Sequence, residues 1–154
     1  MFGLSIIGLI HTLLSFIALG TLVVAFIREG RLGSTHPIGR ISLVTTALTA
    51  LTALALFRHG GPGPGHALAV LTLLAVGAAF FFGRRSSWVP ESIAAGTTVL
   101  FHLIPGVTEA LVRLPTSQPF ASSPEDPALR PVYAGVLALT GVVLGLQVRA
   151  ARRA

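Results

Sequence analysis

Two histidines in strongly apolar stretches, His11 and His102, have the most chemistry to offer in this chain. An ionisable group inside a membrane span is costly, so each imidazole needs a protein partner or a ligand. Neutral imidazoles from facing helices in a dry, apolar pocket are what haem iron accepts as axial ligands. With a rise of about 1.5 Å per residue, His11 lies roughly 12 Å and His102 roughly 18 Å from the same membrane face. Tilt and a kink at Pro105 absorb a mismatch of about one turn. The expectation is a haem b held by His11 and His102 in a protein that moves electrons. The competing reading has each ring bonded to a hydroxyl or carbonyl of a neighbour, such as Thr98.

Glu109 lies seven residues past His102, and Arg113 four residues further on. That spacing makes an i to i+4 ion pair with the acid in the favoured N-terminal position, the preferred reading of Glu109. A weaker reading joins Glu109 to His102 and to His59 or His66 as a proton path or an outward-facing site for zinc, copper or iron. No H-E-x-x-H signature supports it. His36 and Arg40 flank the start of a helix, where free N–H groups and a fixed positive charge suit an anion or a lipid headgroup. No serine, histidine and aspartate grouping or phosphate-cradling loop is visible, so no catalytic constellation emerges. Without cysteine, thiolate chemistry, disulfides and iron–sulfur clusters are excluded.

The elements that must position these residues are apolar helices. Of 154 residues, 53% are hydrophobic and 10% charged, against about 25% charged in a soluble domain. Five apolar blocks predict an all-α, polytopic membrane bundle forming one domain over 1–154, with spans near 3–27, 38–57, 67–82, 91–114 and 132–148. In the first, Gly8, His11, Ser15, Ala18 and Leu22 form one stripe that should turn His11 into a helix contact. Ser42, Thr45, Thr49 and Thr52 form a hydroxyl stripe on the second, read as packing. Ser34 or Thr35 is expected to cap that helix, with Pro37 in its first turn. Residues 58–66 read as a Gly/Pro turn, and the span after it looks the shortest. Trp88 suits an interfacial anchor, and Glu91 complements the positive end of the fourth helix. Residues 115–131 read as an extended loop, and Gly141 and Gly145 as a close-packing face at best.

All eleven basic residues are arginines. Eight (28, 31, 40, 84, 85, 149, 152 and 153) fall in the first loop, third loop and C-terminal tail, and three (58, 113 and 130) on the other side. Positive-inside bias then places the N-terminus outside and the C-terminus in the cytoplasm. No basic stripe interleaved with aromatics suggests nucleic acid. The first block lacks a charged leader and a cleavage site, so it is expected to be a retained helix. The expected partners are the lipid bilayer, with other membrane subunits or further copies of the chain.

His11 and Gly20, then Gly30 and the run His36-Pro37-Ile38-Gly39-Arg40, resemble a family of small bacterial predicted membrane proteins known only as a domain of unknown function. The likeness covers about residues 6–114. The family pattern has a histidine in the first helix, an H-x-x-G-R motif opening the second, and a later histidine that His102 would match. The resemblance implies a multi-pass protein of the bacterial inner membrane and draws attention to His11, His36, Gly39, Arg40 and His102. It implies no activity. Beside the haem reading stands a non-catalytic accessory subunit of a larger membrane complex. Transport is disfavoured because five spans offer no even internal repeat.

Overall fold

The computed structural model describes residues 5–56, 61–114 and 117–153. Among them it is all-helical: α1 (Ile6–Glu29), α2 (Pro37–Leu54), α3 (Pro64–Arg84), α4 (Trp88–Arg113) and α5 (Arg130–Ala151), with one 3₁₀ turn at Pro127–Leu129 before α5. All five helices are long and apolar enough to cross a membrane. Each buries only 17% to 33% of its most apolar window inside the protein, so most of that surface needs an apolar surrounding such as lipid.

Consecutive helices pack side by side, and α1 also touches α4, closing a four-helix ring with α5 added against α4. The ring's core is small: Leu22 and Ala25 of α1, Leu43 of α2, Val76 and Ala79 of α3, and Ala95 and Val99 of α4, with Leu32 from the first loop. Alanines at these positions let backbones approach, which matters where no hydrophobic force drives helices together.

The expected stripes hold. Gly8, Ala18 and Leu22 are buried on α1, and the Ser42 hydroxyl of α2 donates to the Ala18 carbonyl across the contact, at 3.1 Å. Thr45, Thr49 and Thr52 return their hydroxyls to carbonyls of their own helix. Gly30 stops α1 by entering the left-handed region at φ 69°, its N–H donating to the Phe26 carbonyl.

Several expectations need correction. The third helix is not the shortest: it has 21 residues against 18 in α2, because Pro64 occupies its first turn and Gly65 and His66 continue it. Neither Ser34 nor Thr35 caps α2; His36 stands there without a side-chain capping bond. The Ser34 hydroxyl is drawn instead to the carboxylate of Glu91 at 2.8 Å, a charge-assisted bond stronger than a neutral cap. The proline-rich loop is not simply extended: the Ala121 N–H donates to the Leu111 carbonyl of α4 at 3.2 Å, and Leu129 is fully buried. Gly141 and Gly145 are exposed, with open space where a Cβ would stand. The glycine that α4 and α5 use for close approach is Gly96, against Leu144.

Candidate functional site

Two polar centres stand out in the bundle. The first contains the two expected histidines. The His11 Nδ1 lies 3.0 Å from the Thr49 carbonyl and 3.1 Å from the Thr52 hydroxyl, both on α2. A carbonyl only accepts, so Nδ1 is the donor and the neutral ring carries its lone pair on Nε2. His102 repeats the pattern within α4, its Nδ1 donating to the Thr98 carbonyl at 3.2 Å. Thr98 is fully buried, and its own hydroxyl turns to the Ala95 carbonyl at 2.6 Å. The two rings belong to helices that touch, α1 and α4. His102 is 8% exposed, and its Nε2 is buried without a hydrogen-bond partner among the described residues. Such an orphaned buried atom is uncommon and calls for a physical explanation.

The face of α4 that leads to His102 is polar and small: Glu91, Ser92, Ala95, Thr98 and Val99 are all buried. Pro105 and Glu109 do not continue that buried face. Pro105 is exposed, and Glu109 pairs with Arg113 at 2.6 Å with its side chain 41% exposed. Between them Thr108 turns to α5, its hydroxyl 3.0 Å from that of Tyr133. The ion-pair reading of Glu109 is thus the geometry observed. His66 accepts from the Gly63 N–H at 3.1 Å, closing the first turn of α3. His59 lies outside the described residues. Among those described, no three or more of His, Asp and Glu group as they would around a metal ion.

The second centre was not foreseen. Glu91, fully buried, accepts from the Ser34 N–H at 2.6 Å and the Ser34 hydroxyl at 2.8 Å on Oε1. Its Oε2 accepts from the Arg31 Nη1 at 3.3 Å. Arg31, also buried, reaches the His36 Nε2 with Nη2 at 3.2 Å and lies 4.6 Å from the centre of the Trp88 ring. Arginine only donates, so Nε2 of His36 accepts and the proton of the neutral ring sits on Nδ1. From α5, the fully buried Gln147 accepts the Leu32 N–H on Oε1 at 2.7 Å. The first loop is therefore clasped by α4 and α5 together. Glycine makes room: a Cβ on Gly33 would meet Glu91, and one on Gly83 would strike both Ser34 and Glu91. A Cβ on Gly39 would run into the Gly33 carbonyl, which explains the glycine of H-x-x-G-R.

Trp88 is thus a stacking surface for Arg31 at the start of α4, in addition to its expected place near the membrane interface. Arg40, by contrast, points out beside two surface clefts. The signal for the unforeseen centre was a charge or an amide interrupting apolar helix faces, at Glu91 and Gln147. No family model, curated protein or solved structure matches this chain. Its function has to be read from its own side chains.

Proposed function

We propose that this protein is a small b-type haem protein of a bacterial cytoplasmic membrane, in which His11 and His102 would hold the haem, with electron transfer as its activity. The observation that carries the reading is the buried Nε2 of His102, without a hydrogen-bond partner among the described residues, on a helix that touches the one bearing His11. Three features support it. Each Nδ1–H is tied to a carbonyl, which fixes the ring and makes Nε2 the more basic, ligating nitrogen. Among the described residues no third acidic or imidazole donor groups with them, and two imidazoles alone suit haem better than a bare ion. The adjoining core is aliphatic, with Val99 and Leu103 one turn or less from His102, so water is kept from the site. When bound, haem supplies a one-electron redox centre; the protein's part is to hold and orient the two rings.

The orientation belongs to the same proposal: eight arginines gather at the end formed by the first and third loops and the C-terminal tail, which positive-inside bias assigns to the cytoplasm. The second reading, an accessory subunit, is favoured by the His11 bonds to Thr49 and Thr52, which fasten α1 to α2 without any ligand. An optical spectrum of protein purified from haem-replete cells separates the two. The haem reading expects a Soret band that weakens or shifts in His11→Ala and His102→Ala. A folded, colourless protein that takes up no added haemin would leave only the packing role.

A further inference from the structure

A different part of the molecule carries an uncompensated charge. Two clefts open side by side where the N-terminal end of α2 meets the C-terminal end of α3, and they share Thr35 and Arg40. The smaller, about 170 Å³, is walled by Ser34, Thr35 and Arg40 on one side and by Phe80 and Arg84 on the other. The larger, about 470 Å³, begins at Thr35, His36 and Arg40 and runs down α2 over Ile41 and Val44. Ile41 and Val44 are half exposed, at 50% and 44%.

The guanidiniums differ sharply in their surroundings. Arg31 is consumed by Glu91 and His36, and Arg85 sits 4.2 Å from the centre of the Phe81 ring. Arg40 and Arg84 are exposed, and their guanidiniums form no ion pair or hydrogen bond with any described residue. The Thr35 hydroxyl is likewise uncommitted. Glu91, packed against Gly83 beside the smaller cleft, is already held by Arg31 and Ser34. Two positive charges from different helices and a hydroxyl donor thus line one concavity that has no acid among its lining residues.

We propose that this double cleft binds one anionic phospholipid of the cytoplasmic leaflet. Its phosphate sits between Arg40 and Arg84 with Thr35 as a further donor, and one acyl chain lies along Ile41 and Val44. The order of the lining fits that occupant. Charge and hydroxyl occupy the end of the helices, and aliphatic side chains continue toward their middle. Arginine's planar fork suits a phosphate oxygen pair better than a point charge would. A soluble phosphate would satisfy the upper part alone and leave the aliphatic track unused.

Native mass spectrometry of the delipidated, detergent-solubilised protein, titrated with phosphatidylglycerol or phosphatidylcholine, tests this. Phosphatidylglycerol should bind as one tight equivalent and phosphatidylcholine much more weakly. Arg40→Gln or Arg84→Gln should each weaken phosphatidylglycerol roughly five-fold, and the pair together about thirty-fold. The double variant Arg152→Gln/Arg153→Gln removes the same charge from the tail and should leave the tight equivalent in place. The proposal fails if the tail variant lowers affinity as much as the cleft variant does. It also fails if millimolar inorganic phosphate displaces the lipid completely.

Discussion

Glu91 shows what a single residue can decide in this bundle. A fully buried carboxylate is tolerable only because Arg31 and two donors of Ser34 meet it. Glu91→Ala would leave Arg31 buried and unmatched, and should cost about 3–5 kcal/mol. Glu91→Gln should cost less, since an amide oxygen still accepts from Ser34. Thermal unfolding in detergent measures both, and equal melting temperatures for wild type and Glu91→Ala would refute the clasp. Little of this was legible in the sequence. Glu91 follows Pro90 at a helix start, where an exposed acid complementing the dipole is the ordinary reading. Its partner Arg31 is 60 residues away, and Gln147 is 115 residues from Leu32, so no local spacing links them. His11 could be placed from the sequence because its partners lie on a regular stripe of small and hydroxyl residues. Asp126, outside the spans, has its carboxyl held below the ordinary value of 3.8 by the N–H groups of Ser122 and Ala128 and the Ser122 hydroxyl. Since the folded value is the lower one, its support for the loop is complete above 3.8 and lost as pH falls through the folded value. The Ser122 and Ala128 amide resonances should therefore titrate below pH 3.8; a midpoint above it would refute the arrangement.

At the scale of elements, hydropathy located all five helices within a few residues, because length and apolarity are what a span requires. Their ends were harder to read. Pro64 begins α3 inside what looks like a Gly/Pro turn, and the caps depend on tertiary bonds such as Ser34 to Glu91. Glycine patterns were equally poor guides to contact. The G-x-x-x-G of α5 faces outward, whereas Gly39 is pressed against the backbone of Gly33. Gly39→Ala should destabilise the protein by about 1–3 kcal/mol, because the obstacle is a backbone carbonyl rather than a flexible side chain. Gly141→Ala, in open space within a helix, should be neutral or stabilise by up to about 1 kcal/mol. Melting temperatures of the two variants that moved together would show that the α2 entrance is not packed in this way.

At the scale of the molecule, the clasp gathers the first loop and the ends of α4 and α5 at one pole, where the arginine-rich segments also lie. The proposed orientation puts that pole in the cytoplasm. Because the chain has no cysteine, single cysteines at Ser86 and Ser122 can report the two sides. An impermeant thiol reagent added to intact cells should label the second position and spare the first; the reverse pattern would invert the topology. Between the poles, the touching helices α1 and α4 carry His11 and His102, each pinned through Nδ1. The haem proposal requires these two rings to share one iron, and the spin state of bound ferric haem reads that directly. Electron paramagnetic resonance of the haemin-loaded protein should show a six-coordinate, low-spin iron that becomes high-spin in His102→Ala. A high-spin signal in the wild type, or a low-spin one that survives the loss of His102, would mean that these two rings do not share an iron.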